Sequence, residues 1–144
     1  MPDVNLTDNS QAIIDGLHSA IEVSLEACGL AAEGYAKLEL SKPKEHSGGV
    51  MKPTVDTGRL RGSITYATKT KHGKGEFPAQ GKDYSPHGTP DENEVYIGTN
   101  VEYAPYVEMG TSKMNAFPYL RPAAENHGND YEKIIKKALQ GQGP

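Results

Sequence analysis

Tryptophan is absent from this chain of 144 residues, phenylalanine occurs twice and cysteine once. An intrachain disulfide is therefore excluded, and tryptophan and phenylalanine can contribute little to the core. Cys28 falls at an apolar helical position, which reads as a buried structural thiol rather than a reactive one. No apolar run approaches the length that spans a bilayer, and the first residues, MPDVNLTDNSQAIID, have neither a basic n-region nor an apolar h-region. The expectation is synthesis and folding in the cytoplasm, with no membrane partner.

Chemical signals are equally sparse. His18, His46, His72, His87 and His127 are scattered, with no pair four residues apart and no HExxH, and a lone cysteine cannot complete a cysteine-paired zinc site. GTSKMNA at residues 110–116 lacks the first glycine and the strand-to-helix setting of a phosphate loop, and no GxSxG occurs. The sequence predicts no metal, no cofactor and no catalytic residue.

What the chain does have is 16 glycines and 10 prolines, against a hydrophobic share of 35%. That composition describes one domain, residues 1–144, with a modest core, long loops and burial completed against neighbouring subunits. A domain of this size buries roughly two-thirds of the surface that its unfolded chain exposes. Charge is polarised: residues 1–40 carry a net −6, residues 41–82 a net +6 and the remainder a net −4. An acidic first helix and a basic middle suit head-to-tail docking of identical subunits, because complementary potentials fix register.

Periodicity predicts the elements. Ile14, Leu17, Ile21, Leu25, Cys28, Ala32, Tyr35 and Leu38 recur at steps of three or four, the stripe of a long helix capped by Thr7, Asp8 or Asn9 and ended by Pro43. SKPKEHSGG, residues 41–49, reads as a polar, mobile connector. TVDTGRLRGSI reads as a short helix or turn capped by Asp56 or Thr57, feeding a strand over 64–71 that pairs with a second over 94–99. The loop between them, about residues 72–93, is too long to be an ordinary connection, and Phe77 and Tyr84 are its aromatic anchors for a partner. A C-terminal helix over about 119–139, breakable at Gly128 and Asn129, precedes a frayed tail at 140–144. The expected fold is α+β: a long N-terminal helix and a C-terminal helix packed on a small antiparallel β-sheet with a long hairpin loop.

The densest stretch is VEYAPYVEMGTSKMNAFPYLRPAAE, residues 101–125. Pro105 bars a central strand there, so Val101 to Val107 is a packed loop or one helical turn. Gly110, Thr111 and Ser112 supply a turn, and Tyr119 to Pro122 open a helix.

Two blocks in this order, VDTGRLRGSI and EYAPYVEMGTSKMNAFPYLRPA, resemble a family of small tailed-bacteriophage proteins, the minor tail or neck components of head-to-tail joining and tail completion. The resemblance rests on Asp56, Thr57, Gly58, Leu60, Arg61 and Ser63, then on Tyr103, Ala104, Tyr106, Val107, Glu108, Gly110, Thr111, Pro118, Leu120, Arg121 and Pro122. With the flanking helices it covers nearly the whole chain. It implies a non-enzymatic virion part, made in the host cytoplasm, assembling as a ring of about six or twelve copies. It also implies a head-closure (stopper) protein and a tail terminator as neighbours, with DNA passing through the channel without specific binding. Within the blocks, Arg61 and Arg121 are expected to bond backbone carbonyls or carboxylates such as Asp56 and Glu108. Tyr103, Tyr106 and Tyr119 are expected to floor the Gly110 turn.

A different class is a cytoplasmic nucleic-acid-binding accessory module using the basic segment 59–82, with Phe77 and Tyr84 stacking on bases. The negative net charge and the lack of helix-turn-helix or zinc-finger spacing weigh against specific recognition of DNA. A third class is a toxin-like or regulatory protein that binds one unrelated partner.

Overall fold

The computed structural model describes residues 10–45, 49, 51–53, 59–70, 90–99, 101–113 and 115–141. The proline-free periodic stretch folds as a single helix, α1 (Ser10–Ser41). In its last turn Ser41 Oγ donates to the Lys37 carbonyl (2.9 Å), and Pro43 then leaves the helix, because proline has no N–H to continue the ladder.

Residues 43–45 and 51–53 correct the connector reading of 41–49. β1 (Pro43–Glu45) pairs antiparallel with β2 (Met51–Pro53), Pro43 opposite Pro53. A two-stranded ribbon has only edges, where proline is tolerated. Its tie to α1 is ionic: Glu39 accepts from Lys44 Nζ (2.9 Å) and Lys42 Nζ (3.0 Å). Burial works to raise the Glu39 carboxyl, and the two lysines outweigh it and hold the group below its usual range.

α2 (Arg59–Ser63) leads into β3 (Thr65–Ala67), which pairs antiparallel with β4 (Tyr96–Gly98). Thr65 faces Gly98, Tyr66 faces Ile97 and Ala67 faces Tyr96. The expected hairpin is present with shorter strands, while residues 71–89 of its long loop, Phe77 and Tyr84 among them, lie outside the described residues. So do Asp56, Thr57 and the caps expected at residues 7–9, along with residues 142–144 of the tail. α3 (Ala104–Met109), α4 (Leu120–Glu125) and α5 (Gly128–Gln140) complete the order. The break between α4 and α5 falls at Asn126 and His127, just ahead of the predicted Gly128–Asn129 step.

The architecture is α+β and mostly helical, with α1 as the common support for β3, β4, α2, α4 and α5. The core is Ala36, Leu40, Leu60, Ile64, Val101, Ala104, Val107, Phe117, Tyr119 and Ala123. Of the predicted α1 stripe, Leu25, Cys28 and Ala32 are buried and Tyr35 is half-buried, but Ile14, Leu17 and Leu38 are exposed. The buried face carries smaller residues instead, Ala20, Ser24, Gly29 and Ala36, with Leu40 at its end.

Those small residues let β3 come close. A Cβ built on Gly29 lies 2.9 Å from Tyr66 Cβ, Cγ and Cδ2, a separation that real Cβ atoms do not show. On another face of α1, Tyr35 stacks on His127 with ring centroids 3.6 Å apart and donates from its hydroxyl to Asp130 Oδ2 (2.8 Å). Tyr131, tilted 60° against Tyr35, donates to the Ala123 carbonyl (2.5 Å) and so ties α5 back to α4. Burial, with smaller contributions from Tyr35, Cys28 and Asp130, pushes the Tyr131 hydroxyl up to about 12.

Two glycines of α1 give opposite predictions. Gly29→Ala gains up to about 1 kcal/mol of helix propensity but forces β3 away at an overpacking cost of about 1–3 kcal/mol. The expected net is destabilisation by up to about 2 kcal/mol. Gly34→Ala meets no atom within 4 Å and is expected to stabilise by up to about 1 kcal/mol; urea unfolding of both variants reads the difference.

A second prediction concerns alkali. The Tyr131 pKa is raised from 10.0 to about 12 on folding, so its contribution is fully present below pH 10 and is lost as pH rises through about 12. Tm is expected to fall across that window. Tyr131→Phe is expected to lower Tm at neutral pH through the lost Ala123 bond while flattening, without abolishing, the alkaline fall, since Tyr35 and Tyr119 are raised as well. Equal alkaline slopes in the two proteins would remove Tyr131 as the cause.

Candidate functional site

The two sequence blocks meet in space. Leu60 and Ile64 from the first share the core with Ala104, Val107, Phe117 and Tyr119 from the second, and with Val101 just ahead of it. A polar bridge joins them: Ser63 Oγ donates to the Leu60 carbonyl (2.7 Å) and lies 2.5 Å from Thr99 Oγ1, which in turn accepts the Val101 N–H (3.1 Å). With the Ser63 proton committed to Leu60, the Thr99 hydroxyl is the donor between them.

Within the second block, α3 begins after Tyr103 with Pro105 in its first turn, a position where a missing N–H costs nothing. It ends at Gly110, whose φ of 77° suits a residue without a Cβ and whose N–H returns to the Tyr106 carbonyl (2.8 Å). The chain then doubles back, and the Phe117 N–H bonds the Val107 carbonyl (2.7 Å). α4 starts after Tyr119, a residue with no side-chain cap to offer.

Glu108 supplies that cap from the neighbouring helix. Its Oε2 accepts the N–H groups of Tyr119 (2.7 Å) and Leu120 (3.0 Å), and its Oε1 accepts that of Arg121 (3.0 Å). Of the first four amide positions of α4, the fourth is Pro122 and has no N–H, so one carboxylate satisfies every donor that the turn presents. The negative charge also sits at the positive end of the helix. Tyr119 is packed beneath, 1% exposed, with its hydroxyl directed to the Ala104 carbonyl (3.4 Å). Burial first and the Glu108 carboxylate second push that hydroxyl far above the ordinary tyrosine value.

The predicted site residues therefore divide. Glu108, Gly110 and Tyr119 form the clasp, and half-buried Tyr103 packs against the core beside them. Tyr106 does not floor the turn: it is 58% exposed, as is Met109 at 74%. The reason is helical geometry, since positions 106 and 109 share a face that points away from Ala104 and Val107. The Arg121 guanidinium does not reach Glu108 either. Its Nε bonds Glu125 one turn on (3.1 and 3.2 Å), and only its backbone N–H meets Glu108. Arg61 Nη1 donates to Ser41 Oγ (3.1 Å) at an exposed position, and Pro118 is exposed.

Two features escaped the sequence reading. One is the Tyr35–His127–Asp130 cluster between α1 and α5, in which Tyr35 lies 95 residues before Asp130. The other is a groove of about 440 Å³ between α1 and the β3–β4 end, lined by His18, Glu22, Glu26, Lys69, Thr70 and Glu92. There Thr70 Oγ1 donates to Glu22 (2.5 Å), Tyr66 donates to Glu26 (3.2 Å) and Lys69 pairs with Glu92 (3.1 Å). Among the described residues no group of three His, Cys, Asp or Glu side chains is arranged to hold a metal, and no helix is long and apolar enough to cross a membrane. Cys28 is buried and its thiol is pushed up by burial, which disfavours the reactive thiolate.

Compared with family models, with curated proteins and with solved structures, the chain matches none.

Glu108→Ala strands three amides at the start of α4. Loss of a cap with partly buried donors predicts destabilisation by about 2–4 kcal/mol, and Glu108→Gln, which keeps one acceptor oxygen, about half of that. Urea unfolding with amide exchange at Leu120 checks both, the exchange being expected to accelerate in the order wild type, Gln, Ala.

Proposed function

We propose that this chain is a structural, non-enzymatic part of the neck of a tailed bacteriophage, joining the DNA-filled head to the tail as a ring of about six or twelve copies. The observation that carries this reading is the way the second block divides. Its inward residues, Val107, Glu108, Phe117 and Tyr119, are consumed in building the clasp, and both oxygens of Glu108 are occupied by amides rather than left for chemistry. Its outward residues, Tyr106 and Met109, are a large aromatic and a flexible thioether presented to solvent one helical turn apart. Aromatic and methionine side chains of that kind are enriched at the centres of protein interfaces. A rigid turn that displays such a pair is suited to contacting a neighbouring copy or an adjacent neck protein, the head-closure protein on one side and the tail terminator on the other.

The absolute mass by light scattering, over a range of concentrations and with nuclease and high salt, tests the reading. The expected result is a mass of about six or twelve chains that survives salt, reduced by the double variant Tyr106→Ser/Met109→Ser at an unchanged Tm. Nucleic acid that co-purifies and leaves in salt, with no ring, would instead favour the nucleic-acid module built on residues 59–82.

A further inference from the structure

α5 packs on α1 without entering the core. None of its 13 residues is buried, and its apolar side chains Tyr131, Ile134, Ile135 and Ala138 are half-buried and stand outside the core cluster. A helix of that length is marginal in water by itself. Its N-cap, His127, makes no side-chain cap bond, whereas α4 receives its cap from Glu108.

The polar ties of α5 to the rest of the fold gather at its start. Tyr35 provides two of them, its hydroxyl donating to Asp130 Oδ2 (2.8 Å) and its ring stacking on His127. Tyr131 supplies the others, with its hydroxyl on the Ala123 carbonyl and its own carbonyl facing Cys28 Sγ (3.8 Å). Cys28, 5% exposed, therefore lies beneath the first turns of α5. Further along, Lys136 pairs with Glu132 one turn earlier (2.7 Å), a contact that holds the helix to itself and not to α1.

We infer that α5 is a detachable strap: it leaves α1 as a unit about the Asn126–His127 junction while the α3–α4 clasp stays closed, and its departure uncovers Cys28. Opening breaks the Tyr35 ties and half-buried contacts, but Leu40, Leu60, Ile64, Val107 and Tyr119 keep their places in the core. Elements with few buried contacts are the ones that open below the free energy of global unfolding. The open state bares Tyr131, Ile134, Ile135 and Ala138 together with the seat at Cys28 and Tyr35. The protein thus has a second folded state with apolar surface on offer, and one chain suffices for the motion.

Cys28 is the chain's one cysteine, so it reports the motion without any engineered label. Its reaction with Ellman's reagent is followed in native buffer and at rising urea below the unfolding transition, and the rate relative to the unfolded chain gives the fraction open. The expected fraction exceeds the unfolded fraction from urea denaturation by about tenfold or more and changes little with urea, because opening exposes little surface. Tyr35→Phe and Asp130→Ala are each expected to raise it about fivefold, with amide exchange at Leu120 in the clasp unchanged. Labelling that follows the global unfolding curve at every urea concentration would overturn the inference. So would labelling indifferent to both substitutions, which would mean that something other than α5 covers Cys28. Exchange at Leu120 accelerating in step with the labelling would overturn it too, since strap and clasp would then open together.

Discussion

The carboxylate of Glu108 at the start of α4 is the interaction on which the clasp depends. α4 is 6 residues long, too short to hold itself in water, and follows Tyr119, which has no oxygen placed to cap it. Capping from α3 makes the two short helices conditional on each other. α3 holds the carboxylate in place only while its Gly110 end turns the chain back, and that return is fixed by the Phe117 to Val107 bond. Both sides then bury Val107, Phe117 and Tyr119 in one cluster with Leu40, Leu60 and Ile64. Neither the hydrogen bonds nor the apolar burial suffices alone, since a charged acceptor is worth most where water is held away.

The rest of the molecule hangs on α1, and α1 works by being small where it is covered. Its buried positions are mostly Ala, Ser, Cys and Gly, which contribute little apolar area each but let β3 and α5 approach closely. Chain length thus substitutes for side-chain volume, consistent with a composition that has no tryptophan and little phenylalanine. The larger apolar residues released from that face, Val23, Leu30 and Leu38, are left on the outside.

How much of this was legible follows from where the signals lie. α1, the β3–β4 pairing, a helical turn around Pro105, a Gly110 turn and a helix opened near Pro122 were all readable, because periodicity, glycine and proline act within a few residues. The buried side of α1 was not. Hydropathy ranks Leu38 above Ala36, yet Leu38 is 60% exposed and Ala36 fully buried, since close approach rather than hydropathy selects the inward face. The β1–β2 ribbon was missed because Pro43 and Pro53 read as breakers and a bare two-stranded edge tolerates them. Glu108 was singled out for the wrong partner. A carboxylate near two arginines reads as an ion pair, but the true signal was negative: Pro118 and Tyr119 precede a helix that has no Ser, Thr, Asp or Asn to begin it.

In the clasp the polar groups are turned to the backbone: Glu108 is used up on amides, and Ser63 and Thr99 on each other and on the backbone. What remains outward is Tyr106 and Met109 at one edge of the fold and Val23 and Leu30 on α1. Exposing apolar side chains at two separate places costs solubility in a free monomer, and both exposures lie on helices whose opposite faces are fixed by the core. The backbone positions that carry these side chains are therefore fixed by the core.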